Sequence, residues 1–443
     1  MLDQFQSHIH ERFPFLNEAK LLIAISGGLD SVVLTQLCHK SGLDVALAHC
    51  NFNLRAKESD ADEDFVLQLA EDLELEVFIE GFETEKFAKK HKLSTQMAAR
   101  ELRYGWFFEL AEQLDFDYIL TAHHADDNLE TFLINLTRGT GLEGLMGIPE
   151  MNGKIVRPLL PFSRETLETY AIGEKIKWCE DSSNASNKYL RNKLRHDIIP
   201  TLKQMNPQLL QNFQKTISHL YDCQEIVDDA ATRIQKKVVL VEDAIIKLNI
   251  KKLKKLSNPK AYLFELLKDF KFTEWNDVVG LLDAQSGKQV FSQTHRLIKD
   301  REFLMLSEIN SEEIEDITVL KKDKKVQTSL GTLFFDEADA ISKTYKNTIF
   351  VDAETLNYPL TVRNWQEGDY FHPLGMKGKK KVSKYFKDEK LSLIEKENIK
   401  LLCSGENIVW IIGKRADERF KVTEKTKQIL KIKLTVSSSG VEK

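Results

Sequence analysis

The chain has 443 residues, 42% hydrophobic and 30% charged, the balance of a folded protein rather than a disordered or fibrous one. Its formal net charge of −5 excludes a globally basic nucleic-acid binder, so any RNA surface has to be a local patch. The five cysteines (Cys38, Cys50, Cys179, Cys223 and Cys403) are odd in number and never spaced C-x-x-C, which points to a reducing compartment and away from a thiolate zinc site or an iron–sulfur cluster.

The N-terminal segment MLDQFQSHIHERF carries acids and lacks the apolar run of a signal peptide. No stretch long enough to span a membrane is free of charge, so a cytoplasmic protein without a membrane partner is expected. A single core stops growing at roughly 250–300 residues, and two or three domains are expected here. Over residues 21–199, short apolar runs alternate with segments of helical period. Strands are predicted at 21–26, 44–49, 76–80 and 118–122, with a fifth at 155–157. Helices are predicted at 31–40, 60–73, 95–113 and 126–138. Such alternation gives a doubly wound α/β domain with a parallel sheet, whose ligands bind beyond the carboxyl ends of the strands. From 201 to 310 the strand signal weakens and helices at 208–231 and 259–271 dominate. The acidic stretch SEINSEEIED at 307–316 reads as a boundary, and short β-type runs at 332–335, 360–362 and 408–413 predict a small α+β domain. The expected division is 1–205, 206–310 and 317–436.

The first predicted strand runs into Ser26-Gly27-Gly28-Leu29-Asp30-Ser31, and an apolar helix follows. Consecutive glycines let the backbone turn sharply and bring its N–H groups onto an anion, and a helix N-terminus favours phosphate through its free N–H groups and dipole. Ser26 and Ser31 can add hydroxyl donors, and Asp30 can hold the Mg²⁺ of a bound nucleotide. A plain strand-to-helix turn capped by Asp30 or Ser31 is the structural alternative. The loop is neither G-x-x-x-x-G-K nor G-x-G-x-x-G. SGGLDS resembles the PP-loop of the ATP pyrophosphatases (adenine nucleotide alpha hydrolase-like), which implies ATP as cosubstrate, cleavage between its α and β phosphates and AMP transfer to a substrate oxygen.

After the fourth strand comes His123-His124-Ala125-Asp126-Asp127-Asn128-Leu129-Glu130. On a helix starting at Asp126, Asp127 and Glu130 share a face, as do Asp126 and Glu130. Acids also simply favour a helix's first turn. A histidine after a strand is more often packed than catalytic, and without a cysteine at ligand spacing zinc is rejected for His123 and His124.

The run AHHADDNLETFLINLTRGTGLEGLMGI, with SGGLDS, AARELRY at 98–104 and YLRNKLRHDIIP at 189–200, resembles the tRNA(Ile)-lysidine synthases. The likeness extends to RNWQEGDYFHPLGMKGKKKVSKYFKDEKL at 363–391 and IVWIIGKRADERFKVTEKT at 408–426, which are similar to the C-terminal domain of the family's long forms. One departure is His49-Cys50-Asn51-Phe52-Asn53-Leu54-Arg55 where many members carry D-H-G-L-R, which leaves the roles of His49 and Asn51 open. The resemblance implies a carbon–nitrogen ligase joining free L-lysine to the wobble cytidine of a tRNA(Ile) with a CAU anticodon, through an adenylated cytidine. It implies Asp127 and Glu130 at the lysine site, Arg103 and Arg138 as partners for lysine's carboxylate or the phosphates, and Asp30 and Arg103 among the catalytic groups. Arg191 and Arg195 are expected to contact lysine, phosphate or tRNA.

Between Gly375 and Lys384 five of ten residues are lysine (Lys377, Lys379, Lys380, Lys381 and Lys384) and none is acidic. Lysine clusters neutralise phosphates without reading bases, and the interleaved Phe371, His372 and Tyr385 can pack or stack, so this patch is expected to grip tRNA. A homodimer is compatible with all of this. Two rivals are a tRNA sulfur-transfer enzyme of the same class, for which the scattered thiols supply no catalytic pattern, and a non-catalytic tRNA-binding protein on a nucleotide fold, against which the intact SGGLDS and DDNLE argue.

Overall fold

The computed structural model describes residues 1–54, 57–179, 190–242, 245–309, 316–341 and 347–435, without the side chains of 57–58. Arg55, Tyr189 and most of the acidic boundary stretch lie outside the described residues. The chain divides into two compact units, Met1–Asp229 and Ala230–Lys443.

The first unit holds, in order, α1 (Leu2–Arg12), β1 (Leu21–Ala24), α2 (Leu29–Lys40), β2 (Val45–Asn51), α3 (Lys57–Asp72), β3 (Val77–Gly81), α4 (Thr84–His91), α5 (Thr95–Gln113) and β4 (Tyr118–Leu120). Then come α6 (Ala125–Arg138), α7 (Leu142–Leu145), β5 (Met151–Asn152), β6 (Ile155–Val156), α8 (Arg164–Gly173), α9 (Leu190–Lys193), a π-helical turn at Leu194–Ile198, α10 (Ile199–Met205) and most of α11 (Leu209–Val238). The sheet order is β3-β2-β1-β4-β6-β5, parallel except at β5. All four strands and the fifth at 155–157 are therefore where the apolar runs place them. Side chains alternate across the sheet. Leu21, Ile23 and Leu47 pack with Val32 and Leu34 of α2 and Leu167 of α8, while Leu22, Ala46 and Ile119 pack with Phe107 and Ala111 of α5.

Strand order reverses between β1 and β4: Leu21 of β1 pairs with Val45 of β2 on one side and Tyr118 of β4 on the other. The crevice beyond their carboxyl ends is where an open α/β sheet binds ligand, and both motifs stand there. On α6, Leu129, Phe132 and Leu133 pack against Leu194, Ile199, Phe213 and Ile217. That apolar seam sets the 190–205 helices beside the acidic face of α6.

Of the helices expected in the middle region, 208–231 matches the first part of α11, which runs from the first unit into the second, and 259–271 contains α13 (Pro259–Leu267); α12 (Ile250–Leu253) and α14 (Trp275–Gly280) are two further short helices there. The same stretch also holds strands that the periodicity does not predict: β7 (Val239–Glu242), β8 (Ile245–Asn249), β9 (Gln289–Phe291), β10 (His295–Asp300) and β11 (Phe303–Glu308), ordered β7-β8-β11-β10-β9. Lysines interrupt the alternation in IIKLN and HRLIKD, and β7 leaves Leu240 and Val241 exposed. The pattern of a half-buried strand is lost that way, and tertiary pairing decides the outcome.

The remaining elements are β12 (Ile317–Val319), β13 (Lys325–Thr328), β14 (Gly331–Ala338), β15 (Thr348–Asp352), β16 (Leu360–Asn364), β17 (Tyr370–Phe371), β18 (Lys380–Lys381), α15 (Val382–Asp388), α16 (Leu393–Asn398), β19 (Lys400–Ser404), β20 (Asn407–Ile411) and β21 (Ile429–Thr435). Sheets β12-β16-β19-β20 and β13-β14-β21-β15 share one core, in which Trp410, Leu360 and Leu402 of the first meet Leu333, Val351 and Ile432 of the second. No helix among the described residues is long and apolar enough to cross a membrane.

Candidate functional site

The SGGLDS loop spans the end of β1 and the start of α2, with Gly28 as N-cap. Gly27 has φ +84°, a left-handed conformation that glycine adopts without a Cβ penalty. The loop is cross-braced: Ser26 N–H donates to Ser31 Oγ at 3.2 Å, and Ser31 Oγ donates to the Gly28 carbonyl at 2.9 Å. Ser26 Oγ lies 3.2 Å from Ser31 Oγ and accepts from Gly28 N–H at 3.4 Å.

Asp30 points out of this loop toward α6. Its Oδ2 lies 3.6 Å from His124 Nε2 and 3.7 Å from Arg164 Nη1, whereas its Oδ1 is buried with no hydrogen-bond partner among the described residues. A carboxylate oxygen left over in this way suits a hard cation such as magnesium, which takes one or two carboxylates and completes its shell with phosphate oxygens and water.

His124, 1% exposed, joins the two motifs. Its Nδ1 accepts from Asp127 N–H at 3.4 Å while Asp127 Oδ2 accepts from His124 N–H at 3.2 Å, a reciprocal cap on α6. The Nε2 hydrogen then faces Asp30 and Asp127 Oδ2, the latter at 3.4 Å. Burial opposes a charge on this ring, but Asp30, Asp127 and Asp126 outweigh it and raise its proton affinity. Its Nδ1 also lies 3.8 Å from the Asp126 carboxylate.

The acidic face of α6 is met by two arginines from 190–198. Arg191 Nε donates to Glu130 Oε2 at 2.8 Å and Arg195 Nε to Glu130 Oε1 at 2.6 Å. Their Nη2 groups donate to Asp127 Oδ1 at 3.2 and 2.9 Å. Glu130 is 1% exposed and Asp127 13% by side chain, against 44% for Arg191 and 25% for Arg195. Burial would raise the Asp127 pKa, but His124, Arg191, His123 and Arg195 hold it below the usual carboxylate range. Asp126 has a different role from its neighbours, accepting from Arg164 N–H at 2.9 Å and Lys203 Nζ at 2.5 Å. It ties α8 and α10 to the start of α6. Asn128 Oδ1 accepts from Ile148 N–H at 2.7 Å, and a Cβ at Gly147, φ +72°, would come within 2.0 Å of that oxygen. Glycine is therefore required there.

Asp30, Asp127, Glu130, Arg191 and Arg195 thus converge. Arg103 and Arg138 do not join them. Arg103 is exposed with its guanidinium 5.1 Å over the Phe52 ring, and Arg138 ends α6, eight residues after Glu130, about 12 Å along the axis. Neither makes an ion pair with Asp127 or Glu130 among the described residues. His49 is buried with Nδ1 3.0 Å from the Ile25 carbonyl, and Asn51 donates to Glu63 at 2.8 Å. Arg164 and Lys203 are additions that no local pattern announces, since Lys203 meets Asp126 across 77 positions.

His123 Nδ1 lies 3.0 Å from Thr121 Oγ1. Burial, reinforced by Arg157, Arg191 and Arg100 against Asp127, lowers its pKa from 6.5 to about 4. Between these values the unfolded chain binds more protons at this site, so its contribution to stability rises with pH through that window and falls as pH drops from 6.5 toward 4. His123→Gln is expected to flatten the pH dependence of the urea midpoint over this range. An unchanged slope would show that His123 titrates normally.

In the second unit Lys377, Lys379, Lys381 and Lys384 are exposed. Lys379 sits 4.9 Å over the Tyr370 ring. Lys380, half-buried, pairs with Asp388 at 2.8 Å, just beyond the window that is free of acids. Among the described residues no cluster of three or more His, Cys, Asp or Glu side chains has metal-holding geometry.

Three family models match in succession: a PP-loop domain over residues 1–202, a TilS substrate binding domain over 241–309 and a TilS substrate C-terminal domain over 360–434. The chain is 40% identical to a tRNA(Ile)-lysidine synthase of Parabacteroides distasonis, over 95% of this chain and 97% of that protein. The chain belongs to the tRNA(Ile)-lysidine synthase family. A family member from Bacteroides thetaiotaomicron is 39% identical over 96% of this chain and 98% of its own length. A solved TILS C-terminal domain is matched over its full length and 28% of this chain, with 17% identity and a TM-score of 0.26. The family makes this chain an enzyme with an ATP-binding PP-loop domain and a tRNA substrate.

Proposed function

We propose that the chain ligates lysine to the wobble cytidine of a tRNA(Ile) with a CAU anticodon, with ATP cleaved to AMP and diphosphate. The observation that carries this reading is the meeting of the PP-loop Asp30 with Asp127 through His124 at adjoining strand ends, in a chain of this family. Residues 1–205 are the catalytic part, and 206–310 and 317–436 contact tRNA. The N-terminus of α2 and the hydroxyls of Ser26 and Ser31 hold the phosphates. Asp30 would hold a magnesium ion, which would neutralise charge on the departing diphosphate. Cytosine's ring oxygen is a poor leaving group, and adenylation turns it into AMP. The incoming ε-amine must be neutral to attack, whereas its ordinary pKa of about 10.4 keeps it protonated. Asp127, held ionised, and Glu130 orient the amine, and one of them accepts its proton. Arg191, the more exposed of the two arginines on that face, is the cation that the amine displaces.

Incubation with ATP, isotope-labelled lysine and tRNA(Ile) should yield AMP, diphosphate and a tRNA whose mass carries the label at the wobble position. ADP and phosphate as products, or label absent from the tRNA, would overturn the reading.

The lysines of 377–384 grip tRNA backbone in this scheme. Removing one lysine–phosphate pair lowers the slope of log affinity against log salt by about 0.9 on duplex, because one fewer counterion is released on binding. Changing Lys379, Lys380 and Lys381 together to Ala should weaken tRNA binding and flatten its salt dependence while ATP affinity holds. Most of the loss should come from Lys379 and Lys381, because Lys380 is already partnered by Asp388. If slope and affinity both survive, the cluster is a solvated face.

A further inference from the structure

The β10–β11 hairpin of the middle sheet buries both of its faces. On one, Leu297, Leu304 and Leu306 pack with Leu253, Leu263 and Val278 of α12, α13 and α14. On the other, Ile298, 0% exposed, and Met305, 5% exposed, meet Ile394 of α16, with Ile245, Phe303 and Leu393 around them. An antiparallel sheet commonly leaves its second face to water. Here a helix of the last domain covers it.

Polar contacts fix the same two elements. Arg296 shares the outer face with Ile298; its Nε donates to Ser307 Oγ at 3.2 Å and its Nη2 pairs with Glu397, which stands one helical turn beyond Ile394. At the hairpin tip Arg301, φ +46°, donates through Nη2 to the Lys390 carbonyl at 2.8 Å, in the corner between α15 and α16. The helix is tied in turn to its own domain: Trp365 Nε1 donates to the Lys396 carbonyl at 2.8 Å, and the Trp365 ring meets Phe386 of α15 edge-on at 5.4 Å. That α15 follows directly on Lys380 and Lys381 of β18 and carries Lys384. The chain crosses from β11 to β12 once, over 309–316, and domains joined by one crossing move relative to each other unless an apolar interface holds them.

We propose that Arg296, Ile298, Arg301 and Met305 of the hairpin, with Ile394 and Glu397 of α16, form a fixed joint that sets the lysine run of 377–384 at a constant distance from the middle sheet, so that tRNA meets both as one rigid surface. The inference rests on the tRNA-gripping role given to those lysines above. These are positioning residues, and none is asked to touch RNA. Their effect is on entropy, because two tRNA-contacting regions held in register are ordered before tRNA arrives rather than on binding.

The test opens the joint from each side. Met305→Asp puts a charge into the dry face, and Arg296→Glu sets two carboxylates against each other. Both should raise amide hydrogen exchange in α16 and lower tRNA affinity about tenfold, with ATP KM at the wild-type value. In either background the further loss from changing Lys379 and Lys381 to Ala should shrink, a coupling that independent contributions do not show. Glu397→Arg added to Arg296→Glu should restore both exchange and affinity. Arg296 is 19% exposed by side chain, so this pair of variants decides the matter if Met305→Asp fails to fold. Faster exchange in α16 with tRNA affinity within about twofold of wild type overturns the proposal. Exchange at the wild-type rate in both variants overturns it too, since these contacts then hold nothing, and so does faster exchange of α16 in the wild type when tRNA is added. If changing Lys379 and Lys381 to Ala in the otherwise wild-type chain leaves tRNA affinity and its salt slope intact, the lysine reading itself fails, a result obtained without touching the joint.

Discussion

Asp30→Ala is expected to lower AMP formation by about 10³-fold, the scale on which removing one electrostatic stabiliser of the developing charge acts. Asp30 stands on the braced PP-loop with one oxygen toward His124 and Arg164 and the other without a partner. Removing it takes away the only proposed protein ligand for the magnesium ion and leaves His124 and Arg164 facing each other without their shared anion. Its side chain is 27% exposed, so the fold should survive, with far-UV circular dichroism as the check. AMP release measured with saturating ATP and tRNA decides the matter. A variant within about tenfold of wild type would return Asp30 to the role of a helix-start acid.

The second large effect is expected from Glu130→Gln. The variant keeps the side-chain shape but turns one oxygen that faces two guanidinium donors into an NH₂ group. Charge-assisted hydrogen bonds are worth about 1.5–3 kcal/mol each, although the 44% exposure of Arg191 reduces its share. Adenylated tRNA should still accumulate when lysine is withheld, because the ATP loop does not touch Glu130. Its discharge by lysine should slow by about 10²-fold, mainly through a higher lysine KM. Rapid-quench measurement of the two half-reactions separates the possibilities. If adenylation falls as far as discharge, Glu130 acts by holding the 190–198 turn in place, and the amine site lies elsewhere.

The amino-acid sequence by itself determined the features whose physics is local. Apolar runs of strand length between helical periods specified the parallel sheet. Gly27 and Gly28 between a strand and a helix specified the phosphate loop. A spacing of three placed Asp127 and Glu130 on one helical face, and a run of lysines with no acid inside it placed positive charge on the last domain. Each of these follows from backbone geometry within a few residues.

Only the tertiary structure decided which side chains meet across long separations. The packing of Leu129 on Leu194 and Phe213 carries Arg191 and Arg195 onto Asp127 and Glu130 over 61 to 68 positions. The register of β6 on β4 sets Arg157 at the same end of the sheet. The strands β7 to β11 likewise exist through pairing with one another, because short runs such as the lysine-interrupted IIKLN and HRLIKD do not commit a segment to an extended backbone until a neighbouring strand takes up its hydrogen bonds.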